Sequence, residues 1–257
     1  MSTLERAREL QRLHGSPEIL QVVNVWDAVS AKAIAAVPGT TAIATAGHSI
    51  AASLGYRDGE MPSDVALAAV KPVVDAVDLP VSADLDNGYD DPAETVRRAI
   101  GIGVVGANIE DRLLPFDESV RRVDASMRAA EKEGVPFQLN ARTDAIVRGG
   151  DAPMEARVDD AIRRGLAFLG AGAPLVFVPG VVERAHVERI VDAFGRGRLS
   201  ITGAFLGALT APEYEALGVA RISYGPITQR VALAALQNLA ADLYDGGLIP
   251  SGVPILN

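Results

Sequence analysis

The chain has 257 residues, 49% of them hydrophobic and 22% charged, a balance that sets it among folded globular proteins and excludes disordered, collagen-like and coiled-coil sequences. With 33 acidic against 24 basic side chains its formal net charge is −9, so it lacks the cationic surplus that nucleic-acid phosphates or an anionic membrane surface would require. There is no cysteine, which removes disulfides, thiolate metal sites and any sulfur nucleophile or base.

Met1 to Gly15 is charged throughout and has no apolar stretch of the secretory type. No run of about 18 apolar residues occurs, so no membrane-spanning helix is predicted and a cytoplasmic protein is expected. Short β-branched apolar runs then alternate with longer helical patterns, with little linker between them. Strands are predicted at Leu20 to Asn24, Thr41 to Thr45, Pro80 to Asp84, Gly106 to Glu110, Phe137 to Arg142, Leu175 to Val178, Leu199 to Thr202 and Ala220 to Ser223. Helices follow them at Ala28 to Ala36, Ser63 to Ala76, Pro92 to Gly101, Asp117 to Glu133, Pro153 to Leu169, Glu183 to Phe194, Ala211 to Leu217 and Pro226 to Tyr244. Several open with proline or an acidic residue, which helix starts favour. Strands that are apolar along their whole length are buried on both faces, as in parallel sheets covered by helices. Eight such units in ~250 residues predict an α/β chain folded as a single (β/α)8 TIM-type barrel domain over residues 1–257.

In such a barrel the chemistry sits just beyond the carboxyl ends of the strands. Asp84 and Asp86, two residues apart at one strand end, point to the same side, and the next strand ends in Glu110 and Asp111. Acids at two neighbouring strand ends either hold a hard cation such as Mg²⁺, which takes oxygen ligands and keeps several waters, or act as helix caps and solvated turns. A calcium-loop reading of Asp84 to Thr95 fails, because glycine falls at the fifth position and the twelfth is Thr95. Arg142 closes another strand, where its planar donors suit a carboxylate or phosphate; the bland alternative is an ion pair with Asp144 or Asp84. Thr45-Ala46-Gly47-His48-Ser49 reads as a loop of small residues whose backbone N–H groups could bind an anion. His48 is either an acid or base near neutral pH or a bystander. Trp26 and Asp27, at the end of the first strand, either line the same mouth or simply pack and cap. His14 and His186 fall in helices and carry no signal. Gly101, Gly103 and Gly106 spell G-x-G-x-x-G, but they close a helix and lead into a strand, so a helix-to-strand turn is predicted rather than a dinucleotide site.

Taken together, VVNVWDAVS (Val22 to Ser30), TAGHSIAASLGYRD (Thr45 to Asp58), SADLDNGYD (Ser82 to Asp90), GANIED (Gly106 to Asp111), LNARTD (Leu139 to Asp144) and RISYGP (Arg221 to Pro226) resemble the isocitrate lyase/phosphoenolpyruvate mutase superfamily. That resemblance implies an α/β barrel, often with its last helix swapped between the subunits of a tetramer, and Mg²⁺ holding a 2-oxo acid or its enolate. It implies Asp84, Asp86 and Glu110 as the metal shell, mostly through water, with Asp58 another acid nearby. It further implies Ala46, Gly47 and His48 as a cradle for the substrate carboxylate and Arg142 as the electrophilic clamp. The chain departs from the family's lyases in lacking their K-[KR]-C-G-H loop, whose cysteine works as acid and base. It also lacks the Lys-rich gating loop of the phosphonopyruvate-processing members: Arg112 to Asp117 reads RLLPFD, and Ala46 replaces the usual serine.

The resulting expectation is a Mg²⁺-dependent lyase that cleaves a C–C bond of a small, oxaloacetate-like 2-oxo acid through a metal-stabilised enolate, with Arg142, Asp58 and His48 catalytic. Trp26, Asp27 and the Ala46 to His48 cradle would bind substrate beside Arg142. Phosphonopyruvate-type C–P chemistry is the alternative, although it calls for more cationic residues at the mouth than Arg142 and Arg112. A barrel that binds a 2-oxo acid without turnover is the third reading. The expected partner is a small acid rather than nucleic acid or membrane, and the apolar pattern Val231 to Leu243 suits packing in a homo-oligomer, a dimer or tetramer.

Overall fold

The computed structural model describes residues 1–203 and 205–255. Its elements are α1 (Thr3–His14), β1 (Leu20–Val22), β2 (Asn24–Val25), α2 (Ala28–Ala35), β3 (Ile43–Thr45), α3 (Gly47–Ser53), α4 (Ser63–Asp75), β4 (Val81–Asp84), α5 (Pro92–Gly101), β5 (Gly106–Glu110), α6 (Phe116–Lys132), β6 (Gln138–Arg142), α7 (Met154–Gly170), β7 (Leu175–Phe177), α8 (Arg184–Phe194), β8 (Leu199–Thr202), α9 (Ala211–Leu217), β9 (Arg221–Ser223) and α10 (Ile227–Tyr244). Every strand pair is parallel, and the order along the sheet is β1-β9-β8-β7-β6-β5-β4-β3-β2.

β1 and β2 are two halves of the first predicted strand, separated by Val23. The lower half pairs with the last strand (Leu20 with Arg221) and the upper half with the second (Asn24 with Ala44), so the chain itself closes the ring. The molecule is therefore the expected eight-stave barrel with one stave broken. Each predicted strand and helix is present within a few residues. Local chemistry explains several starts: Asp27 accepts from the Ser30 N–H at 2.7 Å ahead of α2, Asp91 caps α5 with Pro92 in its first turn, and Thr210 and Glu213 form a capping box for α9. Two helices lie outside the predicted set. The stretch expected to be a loop after β3 is the short helix α3, and the charged start of the chain forms α1, opened by a Ser2–Glu5 capping box.

Helix α1 closes the amino-terminal end of the barrel. Its Ala7, Leu10 and Leu13 pack on Leu20, Val22, Ala42, Ala44 and Val105, and full burial of a leucine such as Leu10 contributes about 1.5–3 kcal/mol. Gly106 makes this contact possible, since a Cβ there would lie 2.8 Å from the Gln138 carbonyl and 2.9 Å from Leu10 Cδ2. Gly103 adopts φ +94° in the turn between α5 and β5, so this glycine motif serves a helix-to-strand turn, as predicted.

Above the plug the barrel interior is polar. Asn140 donates to Asn108 Oδ1 at 2.7 Å and to Ser200 Oγ at 3.1 Å, and the fully buried Arg221 donates to Ser82 Oγ at 3.1 Å. The Gln138 amide nitrogen donates to the Pro136 carbonyl, so its oxygen faces His14 Nδ1 at 3.1 Å and the imidazole is the donor. Burial, and then the nearby Arg221 charge, push the His14 pKa down to about 3, so this histidine is neutral. No helix among the described residues is long and apolar enough to cross a membrane.

Candidate active site

Asp84 ends β4 half-buried. Its backbone N–H donates to Thr45 Oγ1 and its Oδ2 accepts from the Gly47 N–H, both at 2.9 Å. A Cβ on residue 47 would sit 3.1 Å from that oxygen, so glycine is what lets the start of α3 press against the carboxylate. The Gly47 N–H is thereby committed to Asp84, whereas the sequence suggested that it would be free for an anion. The following turn holds Asp86 and Tyr89 at positive φ, +50° and +55°. It is fastened by Thr95 Oγ1, which donates to the Gly88 carbonyl, and by Arg122, which donates to the carbonyls of Asn87 and Tyr89.

β5 ends in two acids with separate duties. Asp111 faces away from the cavity and ties β5 to β6, accepting from Thr143 Oγ1, the Asp144 N–H and Arg164. Glu110 faces the cavity opposite Arg142, its register partner on β6. Both Glu110 oxygens are occupied: Oε1 lies 2.8 Å from Arg112 Nε and Oε2 3.0 Å from Arg142 Nη1. Arg142 also bonds Asp144 through Nε at 2.7 Å and lies over the Phe177 ring, 5.8 Å from its centroid. The ion pair with Asp144 that was one alternative for Arg142 is thus present, and it holds the guanidinium in place. Arg112 and Leu113 follow at φ +46° and +55°, a left-handed reversal that folds Arg112 back over Glu110.

Asp84, Asp86, Glu110, Arg112, Arg142 and Phe177 line one cavity of about 360 Å³ at the carboxyl ends of the strands, together with Ala46, His48 and Asp58. His48 Nδ1 lies 3.5 Å from Asp58 Oδ2 at the mouth. Trp26 and Asp27 are not part of it. They border a separate apolar groove between α2 and α10, where Asp27 serves as the α2 cap. Sequence reasoning had not singled out Asn24, Asn108, Phe177 or Ser223 as site residues, although each ends or nearly ends a strand, and it missed Arg148 entirely.

The carboxylates repel one another. Burial first, and then the neighbouring Asp86, lift the Asp84 pKa to about 7; burial and then Glu110 and Asp58 raise that of Asp86. An oxygen-only donor set with this mutual repulsion suits a divalent cation, whose charge would relieve it. No three His, Cys, Asp or Glu groups among the described residues converge tightly enough to grip a metal directly. With both Glu110 oxygens held by arginines, the arrangement fits a hydrated ion touched mainly through water.

The chain is a closed parallel β/α barrel with facing acids and an arginine at its carboxyl rim, the edge where barrels of this class carry their active sites. The chain belongs to the isocitrate lyase/phosphoenolpyruvate mutase superfamily, the model of the phosphoenolpyruvate phosphomutase family matching residues 10–244. It is 27% identical to the 2,3-dimethylmalate lyase of Eubacterium barkeri, over 92% of this chain and 85% of that one. It is 28% identical to the oxaloacetate decarboxylase of Paraburkholderia xenovorans, over 90% and 80%. A crystal structure from Burkholderia cenocepacia, of a candidate lyase/mutase, superposes with a TM-score of 0.88 at 32% identity, covering 98% of this chain and 94% of its own. Named proteins that the chain resembles include lyases, a decarboxylase, a phosphomutase and an acetylhydrolase.

Proposed function

We propose that this chain is a Mg²⁺-dependent lyase for small 2-oxo dicarboxylic acids of the oxaloacetate type. The observation that carries this reading is Arg142, pinned by Asp144 and Glu110 beside the half-buried Asp84 in a single rim cavity. Loss of carbon dioxide from such an acid breaks the C3–C4 bond and moves its electron pair into an enolate, leaving negative charge on the C2 oxygen. Arg142, with Nε and Nη1 already anchored, keeps Nη2 for that oxygen, so its donor is oriented before substrate arrives. Asp84, Asp86 and Glu110 would hold the cation, mostly through water, and when bound it would polarise the 2-oxo group as a Lewis acid. Asp58 and His48 stand at the mouth, where a proton can be passed from solvent to C3.

The family's isocitrate-type lyases need a thiol on a closing loop, and this chain has no cysteine. Phosphonopyruvate-type C–P chemistry stays as a second reading because Arg112 and Arg148 join Arg142 at the cavity, making it more cationic than the sequence suggested. Purified protein with Mg²⁺ is to be assayed on oxaloacetate, phosphonopyruvate and isocitrate for release of pyruvate, phosphate and glyoxylate. Pyruvate from oxaloacetate with no glyoxylate is expected; phosphate release would install the second reading, and robust glyoxylate release would overturn the first. We also propose a homo-oligomer built through α10, whose Val231, Leu233 and Leu236 are more than half exposed while only Gln229 of that helix is buried. Light scattering of the purified protein tests it, and a monomer would refute it.

A further inference from the structure

A second cationic wall stands beside Arg142. Arg148 lies on the turn after β6, six residues beyond the strand's last residue. Its backbone N–H donates to the Asp144 carbonyl at 2.8 Å, and its Nε donates to Asp144 Oδ2 at 2.9 Å. The turn itself is fastened from α7: Arg157 donates to the carbonyls of Ala152 at 2.7 Å and Ile146 at 3.3 Å, and also to that of Gly150. Arg148 is therefore presented on a fixed support although its side chain is 51% exposed. Its Nη2 approaches Glu110 Oε1 to 3.9 Å, the same oxygen that Arg112 Nε holds at 2.8 Å, so the two guanidiniums stand side by side at the mouth. Each is anchored through Nε. Among the described residues, neither donates a hydrogen bond from its Nη groups to a protein acceptor.

Two anchored guanidiniums whose Nη groups are left to donate form a receptor for an oxyanion. We propose that Arg148, seconded by Arg112, is the specificity-determining residue of the site and takes the second anionic group of a dianionic 2-oxo acid, while Arg142 serves the 2-oxo end. The proposal rests on the 2-oxo acid reading of the cavity. Its ligand chemistry is an oxyanion beyond the 2-oxo carbon, either the carboxylate of an oxaloacetate-like acid or the phosphonate of phosphonopyruvate.

The test compares the whole protein with Arg148→Met and Arg148→Lys in the presence of Mg²⁺. Dissociation constants are measured by calorimetry for pyruvate, which carries one anionic group, and for phosphonopyruvate, and KM is measured for oxaloacetate. The expected result is that Arg148→Met weakens a dianion by about 10- to 100-fold, leaves pyruvate within about twofold, and is partly rescued by Arg148→Lys. Weakening confined to oxaloacetate would assign the wall to a carboxylate, and weakening confined to phosphonopyruvate to a phosphonate. Equal weakening of pyruvate and dianions, or no change in any of them, would reduce Arg148 to an ion-pair partner of Asp144 and overturn the proposal. If wild-type protein binds no 2-oxo acid, the function proposed above falls with it; if wild type binds oxaloacetate and Arg148→Met is unaltered, only this inference falls.

Discussion

The two ends of the barrel handle buried polarity in opposite ways. At the amino-terminal end α1 seals the opening with Ala7, Leu10 and Leu13, and the one titratable group it inserts, His14, is neutral and donates to Gln138. At the carboxyl end charged groups are retained and set against each other, with Glu110 bridged by Arg112 and Arg142 and with Asp84 half-buried beside Asp86. The helix that seals the first end adds no buried charge and contributes stability. The other keeps charge in place at the expense of stability, the pattern expected of the working end proposed above.

The largest effect expected from this contrast is at Asp84. Asp84→Ala should lower divalent-dependent turnover to background without unfolding the protein, because it removes a repelled carboxylate; full activity in this variant or in chelator-treated wild type would break the assignment. Arg142→Lys should follow, with a loss of about 10²–10³ in kcat/KM, since a point charge cannot keep the anchors to Asp144 and Glu110 and still offer a third donor. At the other end Leu10→Ala should destabilise by about 2–5 kcal/mol in urea denaturation while kcat stays near wild type. A large fall in kcat with intact folding would mean that the ends are not independent.

The smallest effect sharpens the comparison through pH. Folding raises the Asp84 pKa from 3.8 to about 7, so the folded chain keeps a proton that the unfolded chain releases in that interval, and stability falls as pH rises towards 7. Folding lowers the His14 pKa from 6.5 to about 3, so there the unfolded chain holds the extra proton, and stability rises with pH up to about 6.5. The two slopes oppose each other between about pH 4 and 6.5, and beyond that only the Asp84 slope remains. The Tm of metal-free protein should therefore drop by a few degrees from about pH 6.5 to 7.5, and Asp84→Asn should abolish that drop; His14→Gln should instead steepen the decline at lower pH. An unchanged profile in Asp84→Asn would locate the ionisation elsewhere.

The barrel was legible because parallel strands buried on both faces are read as uninterrupted apolar runs, and their polar last residues (Asp84, Glu110, Arg142) stand out against them. What stayed hidden depended on contacts distant in sequence. Gly47 to Ser53 carries small residues with weak helical signal, and α3 is fixed by Gly47 meeting the Asp84 carboxylate. The role of α1 needed the gap above Gly106 that admits Leu10. Arg148 follows no strand directly and gains its place only through Arg157 on the next helix. Trp26 shares a segment with Asn24, but the chain turns at Asp27 to start α2, which carries the indole to the α10 groove instead of the cavity.

The break at Val23 carries a further consequence, for how the ring is made. Val22 pairs with Ser223 and Val25 with Thr45, so the four residues Val22 to Val25 of one stave serve as the seam between the first and last parts of the chain. During synthesis β2 can join β3 soon after both emerge, whereas β1 has no partner until β9 arrives roughly 200 residues later, by which time every other stave exists. Closure is thus the last sheet contact that the topology allows. Until then the edges of β1 and of the newest strand remain open to pairing with another chain, so slow or truncated synthesis should expose this protein to intermolecular association at that one seam rather than evenly around the barrel.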